Sequence, residues 1–297
     1  MPVTTGETIQ ALAVQRISGE ERQAQLDQVA VELPVALVFN GISQAVMMAT
    51  PADLEAFALG FALSEGLLQS RAECYGIELL LQPQGCEVQL QVAASAEMRL
   101  KERRRTLVGR TGCGLCGIDS LRQLDLAPQP LAATARREIA ATAVARAFAQ
   151  LPALQPLNAQ TGAHHAAAWA TPDGDLLLVM EDVGRHNALD KLLGRRLLDG
   201  QRCDDGGFVI MSSRASYELV LKCARLGVPA LATISAPTTL AVDIARRTGL
   251  QLYGFCRGEQ AVLYTLNGVE LRGHRPHPRS AESGRGLRQG DAIWQQE

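Results

Sequence analysis

The chain has 297 residues, of which 47% are hydrophobic and 20% charged, and its 29 basic and 31 acidic residues give a net charge of −2. This length allows about two globular domains of roughly 150 residues each, and the composition excludes a wholly disordered chain. The balanced charge excludes a protein that mainly coats DNA, RNA or an anionic membrane.

The first predicted domain is a mixed α and β unit over residues 29–130, which follows a partly flexible leader at residues 1–28. Apolar runs on either side of an Asn-Gly turn at residues 40–41 predict one hairpin, and a similar pattern around residues 84–85 predicts a second. Between the hairpins, apolar residues recur at helical spacing after Pro51, which predicts a core helix.

The second predicted domain covers residues 131–273, and a flexible tail rich in Pro, Gly, Ser and Arg follows at 274–297. Short apolar strands alternate with helices in this domain. The strands are predicted at 176–180, 207–211, 230–234 and 250–255, and the helices at 136–151, 187–198, 217–226 and 239–248. The alternation indicates a layered α/β fold, so the whole chain is predicted to be α/β, or α+β overall.

The expected location is the cytoplasm. The seven cysteines are odd in number and scattered, which suits reduced thiols, and the first residues lack the apolar region of a secretory signal. Membrane insertion is not expected, because no apolar run approaches the ~20 residues of a membrane-spanning helix.

The sharpest motif is the pair Cys113 and Cys116, which lies among glycines close to Arg110. The glycines indicate an accessible loop, and the nearby guanidinium favours the thiolate, which suits a carrier that holds sulfur as a persulfide. The spacing leaves three alternatives open: half of a zinc site completed by a distant His164 or His186, a thioredoxin-like redox pair, or inert loop thiols.

Polar segments follow three of the predicted strands and are expected to meet in one crevice at the sheet edge. Their candidate binding residues are Arg185, His186, Asn187, Ser212, Ser213, Arg214, Phe255, Cys256, Arg257, Gly258, Glu259 and Gln260. Guanidinium and hydroxyl groups at a helix N terminus suit a phosphate, and an aromatic ring suits a base. Together they would fit a large phosphate-bearing ligand, such as one that contains guanine.

Structural interpretations of the same segments stay open. Asn187 is expected to cap the helix that follows it, and His186 is equally compatible with a hydrogen-bonded structural histidine. Asp190 and Lys191 are compatible with solvated helix charges, and Phe255 with a core position. Ordinary capping would also explain the serines at 212 and 213.

Six motifs occur in order between Val29 and Thr265. They are A-L-G-F-A-L-S-E-G, G-R-T-G-C-G-L-C-G, T-G-A-H-H-A-A-A-W, E-D-V-G-R-H-N-A-L-D-K-L-L-G, S-S-R-A-S-Y-E and S-A-P-T-T-L-A-V. With these motifs the sequence resembles the FdhD family of formate dehydrogenase accessory sulfurtransferases.

The resemblance implies that a cysteine desulfurase loads sulfur onto the cysteine pair, with Cys113 as the favoured persulfide bearer and Cys116 assisting or protecting it. The acceptor would be the molybdenum or tungsten bis-guanine-dinucleotide cofactor (bis-molybdopterin guanine dinucleotide), before its insertion into formate dehydrogenase. The resemblance also implies a homodimer, a nucleotide-binding turn at Phe255–Gln260 for which GDP would be a surrogate ligand, and a C-terminal domain similar to cytidine deaminase.

A deaminase-like fold does not imply deamination. The chain lacks the H-x-E and P-C-x-x-C signature of zinc deaminases, so we expect no intrinsic metal and no zinc hydrolysis. The alternative to a sulfur carrier is a non-catalytic chaperone that holds the cofactor.

Overall fold

The computed structural model describes residues 6–105, 129–132 and 138–266, and only the backbone of residues 103–105. The strands are β1 (Ile9–Ser18), β2 (Glu21–Ala30), β3 (Leu33–Phe39), β4 (Ile42–Ala49), β5 (Cys74–Gln82), β6 (Gly85–Val92), β7 (His165–Ala170), β8 (Leu176–Asp182), β9 (Phe208–Met211), β10 (Ala230–Thr233), β11 (Gln251–Arg257) and β12 (Gln260–Thr265). The α-helices are α1 (Leu54–Ser64), α2 (Ala94–Arg105), α3 (Ala141–Gln150), α4 (Pro156–Thr161), α5 (Arg185–Leu198), α6 (Tyr217–Arg225) and α7 (Thr239–Thr248).

The N-terminal domain is a four-stranded sheet in the order β4-β3-β6-β5, with helix α1 packed against one face. Both predicted hairpins are confirmed: β3 pairs with β4, and β5 pairs with β6, in antiparallel register. The central strands β3 and β6 are parallel, which joins the two hairpins into one sheet. Helix α1 is buried almost all round because its other side packs against α5.

Residues assigned by the sequence analysis mainly to a leader form a two-stranded antiparallel hairpin, β1-β2, in which Ile9 faces Ala30. The hairpin was missed because its apolar residues do not alternate strictly with polar ones and most of its side chains are exposed. Helix α2 also has no counterpart in the sequence analysis, although its residues are good helix formers.

The C-terminal domain is a six-stranded mixed sheet in the order β12-β11-β10-β9-β7-β8. Helix α3 covers one face of this sheet, and helices α5, α6 and α7 cover the other. The layered α/β prediction is therefore confirmed, with the four predicted strands and the four predicted helices present at slightly shifted bounds. The resemblance to cytidine deaminase stays a prediction.

Strands β7 and β12 were not predicted. The sequence of β7, H-A-A-A-W-A, is rich in alanine, which has low strand propensity, and it forms a strand because it lies between β8 and β9. Its antiparallel pairing sets the geometry of the site. Since β7 runs against both neighbours, strands β8, β9, β10 and β11 all end at one edge of the sheet, where β7 and β12 begin.

Helices α1 and α5 join the two domains by a backbone-to-backbone contact. A Cβ atom at Gly194 would lie 1.8 Å from the carbonyl oxygen of Ala56, and one at Gly60 would lie 1.8 Å from that of Asp190. Glycine is thus required on both helices, since any side chain would push them apart. Gly60 lies within the motif A-L-G-F-A-L-S-E-G and Gly194 ends the motif E-D-V-G-R-H-N-A-L-D-K-L-L-G, so both motifs include a residue needed for helix packing.

Candidate functional site

The candidate site is the sheet edge at which β8, β9, β10 and β11 end. The loops after β9 and β10 run side by side there, because Ala215 donates its backbone N–H to Ala236 O and accepts one from Thr238. Phe255, on β11, donates its backbone N–H to Ser235 O in the loop after β10. Helices α5, α6 and α7 begin at this edge, so their N termini and the three predicted segments lie along it. That these segments form one ligand-binding crevice stays a prediction.

At one side of this edge, His186 and Glu218 form a pair. His186 Nε2 lies 2.5 Å from Glu218 Oε2 and 3.4 Å from Ser216 Oγ. Both side chains are partly buried, with exposed fractions of 21% and 16%. The sequence analysis selected His186 but missed Glu218, although the residue ends the motif S-S-R-A-S-Y-E. The pairing depends on the meeting of α5 with α6, which no local pattern reveals.

Burial by itself would raise the pKa of Glu218, but the hydrogen bond and charge of His186, with smaller effects from Tyr217 and Arg185, hold that pKa below its ordinary value. The nearby His165 behaves differently. Burial lowers the pKa of His165, and Arg185 and His186 lower it further, against the opposing charge of Asp182. The edge therefore combines an ionised carboxylate with an imidazole that favours the neutral form.

The two serines after β9 form hydrogen bonds within the protein. Ser212 Oγ accepts the backbone N–H of Ala166 at 2.8 Å, and Ser213 is buried and donates its hydroxyl to Arg214 O at 3.1 Å. Ser212 keeps its own O–H as a donor, whereas the Ser213 hydroxyl is engaged with local backbone. Their binding to a phosphate stays a prediction. Arg214 itself is exposed at the edge.

The prediction that Asn187 caps helix α5 is wrong. Gly184 is the N-cap residue. Asn187 is buried, and its Nδ2 donates to Met48 O at 2.8 Å and to Asp182 Oδ1 at 3.0 Å. It therefore joins the end of β4 to the end of β8. Of the three candidate residues in this segment, Arg185 and His186 remain partly exposed.

Asp190 and Lys191 are not solvated helix charges: their exposed fractions are 1% and 0%. Lys191 Nζ lies 2.7 Å from Asp182 Oδ2 and donates to Thr50 O at 2.9 Å. Asp190 accepts from Lys222 at 2.9 Å. Buried charges require partners, and Asp190 and Lys191 both have them. These two residues of the motif E-D-V-G-R-H-N-A-L-D-K therefore have a structural role in the contact between the domains.

Glu181, the first residue of the same motif, also has a structural role. Its two carboxylate oxygens accept the backbone N–H groups of Leu157 and Asn158 at 3.0 and 2.8 Å. These are amides of the first turn of α4, which have no intrahelical acceptor. Glu181 therefore fixes α4 beside the start of β7.

The predicted turn lies partly at the edge and partly at a cavity. Phe255 has an exposed fraction of 44% and a φ of +52°, so it is not a core residue. A cavity of about 880 Å³ opens between the turn and helix α3. It is lined by Ala141, Thr142, Ala145, Arg146, Phe148, Ala149, Ile234, Cys256, Arg257, Gly258 and Glu259.

This cavity has the size typical of small-molecule sites. The structure brings Cys256 and its three successors to the cavity, whereas the candidate residues of the loops after β8 and β9 do not line it. Gln260 is exposed at the start of β12. The α3 residues were missed, because their alanine-rich sequence gives a helix signal and no sign of a binding surface.

The cysteines that the structure describes are all buried. Burial raises the pKa of Cys203 and of Cys256 to about 12. Such thiols are neutral and shielded. Cys113 and Cys116 lie outside the described residues, so their expected role stays a prediction.

The described residues contain no cluster of three or more His, Cys, Asp or Glu side chains that could hold a metal ion. None of the helices in these ranges is long and apolar enough to cross a membrane.

Comparison with known proteins shows what this arrangement is similar to. The model of the FdhD/NarQ family matches residues 30–268, which include both domains and the whole sheet edge. The chain belongs to this family. The resemblance inferred from the six motifs is thereby confirmed.

Curated members of the family match nearly the whole chain. The sulfur carrier protein FdhD of Chromobacterium violaceum is 57% identical over 262 residues, which cover 88% of this chain and 97% of that protein. The sulfur carrier protein FdhD of Acinetobacter baylyi is 47% identical over 262 residues, with coverages of 88% and 95%.

The fold is also that of a solved family structure. The crystal structure of a formate dehydrogenase accessory protein from Desulfotalea psychrophila superposes with a TM-score of 0.69 at 26% identity, covering 87% of this chain and 97% of that chain. The mixed α/β architecture is therefore shared over 87% of this chain.

Proposed function

We propose that this protein is a sulfur carrier that serves formate dehydrogenase. In this proposal a cysteine desulfurase transfers sulfur to Cys113 as a persulfide, with Cys116 assisting or protecting it. The protein then passes the sulfur to bis-molybdopterin guanine dinucleotide, which is a substrate here and not a resident cofactor, and acts as a sulfurtransferase and as a homodimer. The names of the relatives support the sulfur-carrier role and the link to formate dehydrogenase.

The convergence at the sheet edge is the observation that carries the proposal. Arg185, His186 and Arg214 lie near the N termini of α5 and α6, and Phe255 is exposed at the end of the neighbouring β11. Helix N termini and guanidinium groups attract phosphates, and an exposed aromatic ring can stack on a base. The cavity of about 880 Å³ next to this edge provides room for a nucleotide end of the substrate.

The described cysteines support the choice of sulfur-bearing residue. A persulfide carrier needs a thiolate that a partner can reach, and buried thiols of raised pKa do not meet this need. Cys74 and Cys86, on the N-terminal sheet, are buried at 3% and 2% exposure, and burial raises the pKa of both thiols.

Mass spectrometry tests the carrier role. After incubation with a cysteine desulfurase and cysteine, the intact protein should gain ~32 Da for each sulfur accepted, and this gain should disappear on reduction. Cys113→Ala should abolish the gain and the activation of formate dehydrogenase. The matched control is Cys86→Ala, which removes a buried thiol and should retain both.

The two outcomes separate the carrier from the chaperone. A wild-type protein that gains no mass while it still activates formate dehydrogenase would support the non-catalytic chaperone. Full activation by Cys113→Ala would contradict the persulfide role of that residue.

A further inference from the structure

We propose that the pair of His186 and Glu218 links phosphate binding at the sheet edge to a proton, which His186 takes up as the ligand binds. The inference deepens the proposed function and rests on it, because it assumes that a phosphate group of the substrate lies beside the N termini of α5 and α6. It gives a role to Glu218, which the sequence analysis missed.

The geometry of the pair fixes which ring nitrogen of His186 can take up the proton. Glu218 Oε2 lies 2.5 Å from His186 Nε2, and an ionised carboxylate only accepts hydrogen bonds. Nε2 therefore keeps its proton and donates it to Glu218. The structure gives Nδ1 no hydrogen-bond partner among the described residues, so a second proton binds at Nδ1.

This proton decides the charge of the pair. Burial would raise the pKa of Glu218, but the hydrogen bond and charge of His186 hold it below its ordinary value, so the carboxylate is ionised at neutral pH. A neutral His186 leaves the negative charge of Glu218 uncompensated, and that charge repels a phosphate. An imidazolium cancels it. Phosphate and proton therefore each favour the binding of the other.

The groups around His186 oppose its protonation while no ligand is bound. Arg185 precedes it in the first turn of α5, where the positive end of the helix lies. On β7, His165 is near enough for the charge of His186 to act on it, and the Asp182 carboxylate on β8 is already paired with buried Lys191. A bound phosphate supplies the negative charge that outweighs this opposition.

The linkage has one sign. Because the proton is taken up on binding, the affinity for a phosphate-bearing ligand is highest at low pH and falls as the pH rises through the range in which His186 loses its proton. Histidine ordinarily titrates between roughly pH 5 and 8, and a terminal phosphate loses its last proton near pH ~6. Burial lowers the pKa of His165, so that residue is neutral above its ordinary range.

Calorimetric titration of the full-length protein with GDP tests the inference. In buffers of different ionisation enthalpy at pH 7.5, the wild type should take up about half a proton for each GDP bound. The affinity should fall by about 3- to 10-fold from pH 7 to pH 8.5. Guanosine, which has the base without the phosphates, should bind without proton uptake.

Two variants change the pair in opposite directions. Glu218→Gln keeps an oxygen that accepts from Nε2 and removes the charge, so it should bind GDP more tightly than the wild type at pH 8.5, with little dependence on pH. His186→Gln keeps an N–H for Glu218 and removes the titrating ring, so it should bind GDP more weakly than the wild type at pH 7. The control Glu78→Gln, at an exposed carboxylate on β5, should match the wild type.

The outcomes distinguish the two levels of the proposal. If the wild type does not bind GDP, the proposed nucleotide site fails and this inference fails with it. If GDP binds without proton uptake, or if both variants keep the wild-type uptake, the linkage is overturned and the nucleotide site stands. Circular dichroism checks that the variants fold, and the proton count of the wild type decides the inference even if one of them does not.

Discussion

Lys191 shows how one buried charge fixes the position of the site. Its ammonium group contacts Asp182 Oδ2 and Thr50 O, and the same Asp182 oxygen accepts the backbone N–H of Thr50 at 3.0 Å. The other Asp182 oxygen accepts the N–H of Gly184 at 2.8 Å. This cluster holds the turn that precedes Arg185 and His186, so a fully buried residue fixes the position of two partly exposed ones.

We expect Lys191→Met to lower the free energy of unfolding by about 3–5 kcal/mol, because it leaves the Asp182 carboxylate buried without its cation. The control is Arg195→Met on the same helix, where the Arg195–Asp199 pair has exposed fractions of 37% and 46%. That change should lower the free energy by less than about 1 kcal/mol. Urea denaturation measures both, and equal effects would contradict the structural role assigned to Lys191.

Glu218 should make the stability of the protein depend on pH in the acidic range. Its pKa is lower in the folded protein than its ordinary value of 4.5, so the folded state binds its proton less readily than the unfolded state. The stabilisation is present above pH 4.5 and is lost as the pH falls through the folded pKa.

Glu218→Gln should accordingly lower stability at neutral pH and flatten its decline on acidification. Urea denaturation of both proteins from neutral pH to below pH 4.5 tests this. Parallel curves for the wild type and the variant would show that the pair with His186 contributes nothing to stability.

Among the elements, helices α1 and α5 have the tightest packing constraint. Their backbones touch at Gly60 and Gly194, where a methyl group would overlap a carbonyl oxygen of the facing helix. Alanine is the better helix former by about 1 kcal/mol, so an isolated helix would gain from the substitution. The packed pair of helices cannot gain stability from the substitution, because neither backbone can move aside for a methyl group without opening the core.

Gly194→Ala should therefore destabilise the protein by about 1–3 kcal/mol in spite of its favourable propensity. Gly76→Ala on β5 is the comparison, since a Cβ there meets first the flexible Gln91 side chain at 3.5 Å. That variant should change the melting temperature little. A Gly194→Ala protein as stable as the wild type would show that the helices can separate at no cost.

At the scale of the whole molecule, a second buried cluster joins the domains. Lys222 Nζ, on α6, contacts Asp190 on α5 at 2.9 Å, Glu65 Oε1 at 2.8 Å and Ser64 Oγ at 2.9 Å. It also lies 5.1 Å from the centre of the Phe61 ring. One ammonium group thus ties two helices of the C-terminal domain to the end of α1, and neither domain can unfold without exposing it.

We expect both domains to unfold in a single cooperative transition. Trp169 is buried in the C-terminal sheet, so in a Trp294→Phe background its fluorescence reports that domain alone. Circular dichroism reports the helices and strands of both domains. The two signals should give the same urea midpoint, and a midpoint earlier by circular dichroism would mean that the N-terminal domain unfolds independently.

The sequence by itself determined the local secondary structure, the layered α/β class and the family. Period-two runs around Asn-Gly and Gln-Gly turns specified the β3-β4 and β5-β6 hairpins, and apolar runs between helical segments specified the layered α/β domain, because short-range periodicity reflects which face of an element is buried. The motifs also identified the family, and they named His186, Arg214 and the turn from Phe255 to Gln260 before any contact was visible.

The tertiary structure alone decided which of these residues are available to a ligand. Asn187, Asp190 and Lys191 look in sequence like part of a polar site, yet they are buried against β4, α1 and α6, elements distant in the chain. Glu218 and the wall of α3 join the site only where separate elements meet. Burial and long-range pairing depend on how the elements pack, and no local pattern of residues encodes that information.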